Sequence, residues 1–518
     1  MVKRKRVCVI GAGVSGLASA NAFKARGHEV TVYERGADLG GVWEPSRSYP
    51  GIKTQSPKDL YRYSGMAMPD DYPEWPSGRQ VYEYLWSFAE KNELLPLIRF
   101  SHTVRHIDRR AEGGWRVKVE GTGGQSDTVA FDFVVVASGT FTDKNVLTHR
   151  GQQAFEAAGG TVMHSCEYTD PAMIRDKNVV VLGFSKSATD VAVNAVKEGA
   201  RSVTMVYLEP VWRIPYHFAG LINFKRILYC RASEAMFLPW GAGGIGRAAR
   251  ALAKPLIWAN WRALEALLTM QHGLKKLGLR PEKPIETTIS CGLPIATEGF
   301  FDLVKAGRIR TIQGTFDHYE DGQVVLTGGE KLPLDVAIQA TGWKLGVPYL
   351  DEAARAALLE DDGQYRLYRL IVNPDLPDLG FVGFNSSFAT VLTSDMAAQW
   401  LVRYADGKLA RQPTHKTMRE WIAAHLAWRR KDRPAAKVYG GLCSAPFHFH
   451  HLDELLADMG ARKRRRANPL AEAFLPPDAD AYAAYLASVP EYRVDGTGTR
   501  AVRPDAPAPA ATGQPVGA

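Results

Sequence analysis

A glycine-rich turn between an apolar segment and a helical pattern constrains the fold of this chain more than any other feature. Residues 7–10 are apolar, and the residues that follow include Gly11, Gly13, Gly16 and, after a second apolar segment, Glu34. In a strand–turn–helix unit, the first glycine permits a tight turn, the second lets a pyrophosphate approach the backbone, and the third lets the helix pack closely on the strand. The helix N-terminus offers free N–H groups to phosphate, and the acid can accept hydrogen bonds from a ribose. The segment therefore predicts a dinucleotide-binding unit.

A second, weaker copy of this pattern begins at residue 178. Residues 179–182 are apolar, residues 203–207 predict the next strand, and the turn between them contains Gly183, Ser185, Lys186 and Ser187. Ser185 replaces the second glycine, and it is small enough for a phosphate to approach. Ala188 replaces the third glycine and still allows close helix packing. The turn predicts a second dinucleotide site, although a purely structural crossover is the alternative for this motif alone.

Two further apolar segments end in small residues followed by an aromatic residue. One covers residues 133–139, before Phe141, and the other covers 336–342, with Thr341 and Gly342 before Trp343. Both fit strands that leave one nucleotide-binding domain and cross into the other, and plain buried strands are the alternative.

The order of these units predicts an α/β fold with two Rossmann-like domains, the second inserted in the first, and a helical C-terminal appendage. The boundaries that we expect are 1–150 for the first part of one domain, 170–330 for the inserted domain with a helical excursion at 230–285, 331–430 for the return, 431–496 for the appendage and 497–518 for a disordered tail.

Charge and apolar patterning narrow the range of partners. The net charge of +9 would suit nucleic acid or an anionic membrane, but a binder of anionic dinucleotides can also carry it. The one dense basic run, 462–466, is more typical of a solvated helix end, so we expect no nucleic-acid partner. No apolar run reaches the ~18 residues of a membrane span. The helical stripe at Leu252, Leu256, Trp258, Trp261, Leu264, Leu267 and Leu268 is typical of a core, with a substrate entrance or peripheral membrane contact as alternatives.

The cysteines and the N-terminus favour a cytoplasmic protein. The five cysteines are widely spaced and include no CxxC pair, which favours free thiols in a reducing compartment. The basic N-terminus resembles a signal peptide, but cleavage near Ala20 would destroy the first glycine turn. His448, His450 and His451 have no further ligands nearby in the sequence, so no metal site is expected.

Two nucleotide-binding units suggest one for FAD and one for a nicotinamide cofactor. The segment from Glu34 to Trp43, with Gly40 and Gly41, resembles the acid–x5–GGxW segment of class B flavin-dependent monooxygenases, which are the flavin-containing monooxygenases and their Baeyer–Villiger relatives. Residues 49–57 are similar to the YPxxxTxxP loop of that family, and the resemblance covers roughly residues 5–460.

The resemblance implies where the cofactors bind. Glu34 would hold the FAD ribose, and Gly40, Gly41 and Trp43 would lie along the flavin. The loop that contains Thr54 and Gln55 would lie near the isoalloxazine ring. Many family members carry Asn where this chain has Gln55, and a longer amide can make the same hydrogen bonds from a shifted position. Gln55 is therefore our candidate catalytic residue, and Thr54 a candidate cofactor ligand.

The second unit would bind NADPH, with NADH as the alternative. Cationic groups often follow the second strand of the nicotinamide domain and hold the 2′-phosphate, whereas this chain has Leu208 and Glu209 there. Arg213 follows them and is the candidate for contact with the nucleotide phosphate.

The family's identifying motif, FxGxxxHxxxY/F, is matched at Gly160, His164 and Tyr168, although Ala158 replaces the Phe. The ending Tyr168-Thr169, in place of the Trp-Pro of Baeyer–Villiger enzymes, favours oxygenation of nitrogen or sulfur. We expect His164 to orient the linker between the domains rather than to transfer protons.

The resemblance implies an enzyme that passes one oxygen atom from O2, through a C4a-(hydro)peroxyflavin, to a small, hydrophobic organic substrate. Baeyer–Villiger oxidation of a ketone is the alternative on the same scaffold. An NAD(P)H-dependent flavin reductase with a protein electron acceptor and a non-catalytic nucleotide-binding scaffold are the alternatives of other classes. The substrate and the oligomeric state are left open by these residues.

Overall fold

The computed structural model describes residues 3–288, 294–461, 466–489, 492–494 and 500–502. Most of the expected disordered tail lies outside these ranges, as does 462–465 of the basic run. Residues 500–502 form a strand that pairs with Tyr492–Val494.

The first sheet has five parallel strands around the first glycine turn. Their order across the sheet is Leu379–Phe381, Phe133–Val136, Arg6–Ile10, Glu29–Tyr33 and Ile98–Arg99. Alternate residues of the central strand face two different cores, Val7 and Val9 in one and Cys8 and Ile10 in the other. A parallel sheet covered on both faces requires continuously apolar strands, which explains the Val-rich runs.

The second sheet repeats this arrangement. Its parallel strands lie in the order Arg310–Gln313, Ser202–Tyr207, Asn178–Leu182, Val336–Gln339 and Thr161–His164. The helix that follows the central strand of each sheet is Val14–Ala25 in the first unit and Lys186–Lys197 in the second. The strands of the second sheet extend beyond the expected range 170–330 at both ends.

The chain crosses between the two sheets twice, as the small-residue strands predicted. The first crossing follows Phe133–Val136 and the second follows Val336–Gln339. The two linkers pair with each other as antiparallel strands, Asp143–Lys144 with Trp343–Lys344. The predicted architecture, with one Rossmann-like domain inserted in the other, is confirmed.

Smaller elements surround the two sheets. The remaining strands are Thr103–Arg109, Trp115–Glu120, Ser126–Phe131, His217–Phe218, Ile222–Asn223, Phe316–Glu320, Gln323–Leu326 and Lys331–Pro333. The remaining α-helices are Gly78–Lys91, Gln152–Ala157, Lys225–Leu228, Arg231–Glu234, Gly244–His272, Ile285–Thr288, Phe300–Lys305, Glu352–Leu358, Thr390–Ala405, His415–Asp432, His448–Met459, Pro469–Phe474 and Ala479–Ser488.

The long helix Gly244–His272 is only half packed against the protein. Trp261 and Leu268 are buried, but Leu252, Leu256 and Trp258 are exposed. The prediction that the whole stripe forms core is wrong for these three residues, because the buried side chains of this helix begin only at Trp261. Among the described residues, no helix is both long and apolar enough to cross a membrane.

The first helix of the C-terminal appendage is docked onto the first domain. His448–Met459 packs on Thr390–Ala405, and Arg369 pairs with Glu454 and Asp458 of the former helix. No cluster of potential metal ligands occurs within the described part of the chain.

The cysteines differ from expectation at one position. Cys8, Cys166 and Cys230 are free thiols, but Cys443 is disulfide-bonded. The expectation of free thiols is therefore wrong for Cys443, because wide spacing along the sequence does not prevent a disulfide, and Cys291 lies outside the described residues.

Candidate functional site

The first glycine turn can be built only from glycine at two of its positions. Gly11 has a φ of +103°, and a Cβ there would lie 2.8 Å from the carbonyl oxygen of Ala137. A Cβ at Gly16 would lie 1.8 Å from the carbonyl oxygen of Gly11. The turn and the helix are therefore in backbone contact, which places the helix N-terminus directly at the end of the strand.

Gly13, Gly40 and Gly41 form a backbone cradle beside this turn. Gly13 precedes the first residue of helix Val14–Ala25, and a Cβ there would lie 3.5 Å from the Cα of Gly41. Gly41 has a φ of +63°, and the N–H of Gly40 donates to the carbonyl of Ala12 at 3.0 Å. The acid–x5–GGxW segment is thus held against the glycine turn, and the two segments meet at Gly13 and Gly41 without intervening side chains.

Glu34 fastens the two segments together at the carboxyl end of its strand. Its buried carboxylate accepts from the N–H of Ala12 at 2.7 Å and from the N–H of Gly36 at 2.8 Å. A carboxylate has about four acceptor positions, so it keeps acceptor capacity for a ribose.

Thr54 has a buried hydroxyl without a partner. The residue is 1% exposed, and its Oγ1 makes no hydrogen bond in the described structure. An unsatisfied buried hydroxyl costs about 1–3 kcal/mol, which a bound ligand can recover. Trp43, in contrast, is buried with its indole Nε1 donating to the hydroxyl of Tyr61 at 2.8 Å. Both residues therefore lie in the first domain's interior, and only Thr54 has a free polar atom.

Gln55 joins the first domain to the second. Its Oε1 accepts from the backbone N–H of Ile295 at 3.1 Å, and its carbonyl accepts from the hydroxyl of Tyr229 at 3.2 Å. The loop predicted to lie near the flavin therefore contacts residues of the inserted domain, while Gln55 itself is exposed.

The second glycine turn repeats the geometry of the first. Gly183 has a φ of +124°, and a Cβ there would lie 2.6 Å from the carbonyl oxygen of Ala340. Its N–H donates to Val206 at 2.8 Å, as the N–H of Gly11 donates to Tyr33 at 2.8 Å. In both turns, the first glycine donates a hydrogen bond to the neighbouring strand and lies against the end of the strand that leads into a linker.

The serines of the second turn lie at the start of its helix. Ser185 precedes the first residue of Lys186–Lys197, and its hydroxyl is 2.9 Å from that of Ser187. Together with the backbone N–H groups of the first helical turn, these hydroxyls form a set of donors suited to phosphate.

The side chain of Lys186 is engaged in a buried polar cluster. Its ammonium group pairs with Asp190 and lies 3.3 Å from the hydroxyl of Thr297, which itself donates to Asp190 at 2.5 Å. Burial lowers the pKa of Lys186, and the adjacent carboxylate of Asp190 opposes that shift. Tyr49, from the loop near the flavin, donates to the other oxygen of Asp190 at 3.0 Å.

Asp190 therefore connects the second glycine turn to the loop 49–55 of the first domain. Tyr49, Asp190 and Thr297 were not identified from the sequence. The pairing of Asp190 with Lys186 could have been predicted, because residues four positions apart on a helix share a face. Nothing in the sequence indicates the contact with Tyr49.

Arg213 is buried and hydrogen-bonds to the backbone of the second turn. It is 1% exposed and lies over the rings of Phe184 and Phe300, at 4.8 and 5.7 Å from their centroids. Its Nη2 donates to the carbonyls of Phe184 at 2.5 Å and of Ser185 at 3.1 Å. Burial lowers the pKa of Arg213 to about 9. In this structure the guanidinium braces the turn and does not present its charge at the surface.

Thr341 and Gly342 hold the two linkers together. The Thr341 hydroxyl donates to the carbonyl of Asn145 at 2.5 Å, and the Asn145 amide donates to the carbonyl of Thr341 at 3.1 Å. His164 lies with its Nε2 3.0 Å from the carbonyl of Gly342, and its ring packs edge-on against Trp343. Burial lowers the pKa of His164. These contacts are those of a residue that orients the linker.

Comparison of the sequence with known proteins finds similarity to monooxygenases. Residues 4–227 match the family model described as FMO-like, flavin-binding monooxygenase-like. The chain is 30% identical over 509 residues to "Probable flavin-containing monooxygenase 1" of Arabidopsis thaliana, covering 91% of this chain and 94% of the relative. It is 28% identical over 482 residues to "Dimethylaniline monooxygenase [N-oxide-forming] 2" of Oryctolagus cuniculus, covering 88% and 83%.

The fold is also similar to that of solved structures. An oxidised steroid monooxygenase bound to NADP superposes with a TM-score of 0.63 at 19% identity, covering 83% of this chain and 91% of that one. At this identity the likeness supports the fold of two dinucleotide-binding domains and no more.

We predict that Tyr49→Phe slows flavin reduction by NADPH about tenfold, because a hydrogen bond to a buried charge contributes roughly 1.5–3 kcal/mol to holding the two domains in register. Stopped-flow reduction without oxygen measures the effect. Tyr168→Phe is the control, since the Tyr168 hydroxyl also bonds to a polar residue of the same helix, Asn194, at 2.5 Å. Equal rate losses in the two variants would contradict a specific role for the Tyr49–Asp190 contact.

Proposed function

The chain belongs to the flavin-containing monooxygenase family, and from this premise we propose that it transfers one oxygen atom of O2 to the nitrogen or sulfur of a small, hydrophobic organic substrate. Its cofactors are FAD and NADPH, and its reaction is a monooxygenation. FAD supplies the oxygen chemistry when bound, and NADPH supplies the hydride that reduces it.

The choice of nitrogen or sulfur over a ketone rests on the end of the linker motif. The chain has Tyr168-Thr169 where the resemblance associates Trp-Pro with Baeyer–Villiger enzymes. Tyr168 is fully buried and bonded to Asn194, so this position takes part in packing the linker on the inserted domain. The relative whose name specifies N-oxide formation supports the same choice.

The residues of the first domain fit FAD. The side-chain-free surface of Gly13 and Gly41 admits a pyrophosphate, and the carboxylate of Glu34 lies at the adjacent strand end to accept from a ribose. The orphaned hydroxyl of Thr54 supplies a hydrogen-bonding group farther along, toward the loop that contains Gln55. In the inserted domain, Gly183, Ser185 and Ser187 take the corresponding role toward NADPH.

Gln55 is the residue to which we assign a direct role at the reacting atoms. Its Oε1 is engaged by Ile295, which fixes the amide plane and leaves the two N–H groups of Nε2 as donors. Donors held in place at the reaction site stabilise charge that develops on oxygen without reorganising. Hydrogen bonds from the Tyr229 hydroxyl and the Ile295 N–H hold the loop that contains Gln55 against the inserted domain.

We expect NADPH-dependent conversion of tertiary amines and thioethers to N-oxides and sulfoxides, with one O2 consumed per product. Mass spectrometry of the products, beside a panel of cyclic and aryl ketones, measures the preference. Esters or lactones formed at higher kcat/KM than N- or S-oxides would establish Baeyer–Villiger oxidation instead. Stoichiometric hydrogen peroxide with every substrate, together with rapid reduction of an electron-carrier protein, would establish a reductase.

Gln55→Leu should lower the yield of oxygenated product per NADPH roughly tenfold and raise hydrogen peroxide correspondingly, because it removes a donor of charge-assisted hydrogen bonds. The ratio of peroxide to NADPH consumed measures this uncoupling. Gln55→Asn is the matched control and should retain most of the coupling, since it keeps the amide. Unchanged coupling in Gln55→Leu would exclude Gln55 from the reaction site.

A further inference from the structure

An ion pair lies just beyond the second strand of the NADPH-binding domain. The Lys283 ammonium is 2.6 Å from the Glu209 carboxylate, and the Lys283 side chain is 64% exposed. Glu209 follows strand Ser202–Tyr207 by two residues, whereas Lys283 comes from the end of the helical excursion. The contact therefore brings a cation from a distant segment to the end of this strand.

The end of strand Ser202–Tyr207 corresponds to the place in the first domain where Glu34 would bind the ribose of FAD. In the first domain, the N–H of Gly11 donates to Tyr33, and the next residue is the ribose acid Glu34. In the second domain, the N–H of Gly183 donates to Val206, so the residue that corresponds to Glu34 is Tyr207. An acid at this position favours the free 2′-hydroxyl of NADH. Its replacement by a buried tyrosine removes that preference and leaves 2′-phosphate recognition to the residues beyond the strand.

Arg213, the cation expected from the sequence for this task, is buried. Its guanidinium is bonded to carbonyls of the glycine turn and enclosed by aromatic rings. Leu208, the residue next to Glu209, is exposed but uncharged. Lys283 thus brings an exposed positive charge to the region beyond the strand.

The backbone of Lys283 is fixed from within the core. The indole N–H of the buried residue Trp212 donates to the carbonyl of Lys283 at 2.7 Å. Two residues later, the N–H of Ile285 donates to the buried carboxylate of Glu265 at 2.8 Å. These two buried hydrogen bonds hold the segment beside the strand end, while the ammonium group remains at the surface.

We propose that Lys283 determines the preference for NADPH by binding its 2′-phosphate, and that Glu209 holds the ammonium in place until the phosphate displaces the carboxylate. A phosphate monoester carries a charge of about −1.5 to −2 at pH 7 and competes well with one exposed carboxylate. This inference rests on the proposed function, because it assumes that the inserted domain binds the nicotinamide cofactor.

Dissociation constants of NADP+ and NAD+ for the FAD-loaded protein, measured by isothermal titration calorimetry, test the proposal without turnover. Lys283→Met should weaken NADP+ binding about tenfold and change NAD+ binding less than twofold, because it removes one charge-assisted contact with the phosphate. Glu209→Gln should act in the opposite direction and tighten NADP+ binding, since it removes a competing negative charge.

Lys331→Met is the matched control, because Lys331 also forms an exposed pair with a glutamate, Glu320, at 2.7 Å in the inserted domain. It removes the same charge and should leave both constants unchanged. An unaltered NADP+/NAD+ ratio in Lys283→Met would overturn the role of Lys283, and weaker NAD+ binding in Glu209→Gln would show that Glu209 binds the ribose hydroxyl instead. Absence of binding of either dinucleotide to the wild-type protein would overturn the proposed function itself, and this inference with it.

Discussion

The contact between backbone and backbone at the glycine turns is the constraint on which the rest of the structure depends. At Gly16 the helix lies so close to the strand end that a single added carbon would overlap the carbonyl of Gly11. The contact between Gly13 and Gly41 is looser, since a Cβ on Gly13 would lie 3.5 Å from Gly41, but these two glycines also form a surface of main chain. Such a surface brings N–H groups and the helix dipole within reach of phosphate, which side chains would prevent. We propose that the two phosphates of the cofactor bind this surface, because these glycines carry no side chains to block their approach.

The second domain uses the same construction, and we propose that the catalytic site forms where the two domains meet. Each turn is closed by the neighbouring strand and contacts the strand that leads into a linker, so the linkers begin beside the turns that we propose as phosphate sites. The loop 49–55 then contacts the inserted domain through Asp190 and Ile295. A site formed between two domains can bring two cofactors together and remain closed to water, and its geometry is sensitive to the contacts that hold the domains in register.

Local features of the sequence predicted much of this structure. Gly11, Gly16 and Gly183 occupy backbone conformations or contacts that other residues cannot adopt, so their spacing alone specifies the turns. The Val-rich strands could also be predicted from the sequence, because a parallel sheet that is buried on both faces contains few polar residues. We also expected His164 to orient the linker, and its contact with Gly342 agrees with that expectation.

Features that depend on contacts between distant residues were not predictable in this way. Tyr49 and Asp190 are 141 residues apart, and neither has an unusual neighbourhood in the sequence. Arg213 follows the strand at a position where a phosphate contact was expected, but the packing of Phe300 encloses it. The exposed part of helix Gly244–His272 has the same apolar pattern as its buried part, because periodicity records which residues share a face and not what covers that face.

The FAD content of purified Gly13→Ala tests the central claim most directly. Gly13 has a φ of −81°, which alanine readily adopts, and the added Cβ would make only ordinary contact with Gly41, so the variant should fold. Its methyl group would nevertheless occupy the cradle, and we predict a folded protein that retains little FAD. Gly243→Ala is the control, because Gly243 also precedes a long helix, with a φ of −70° and open space around its Cβ, and it should retain FAD as the wild type does. Full FAD occupancy in Gly13→Ala would contradict the account.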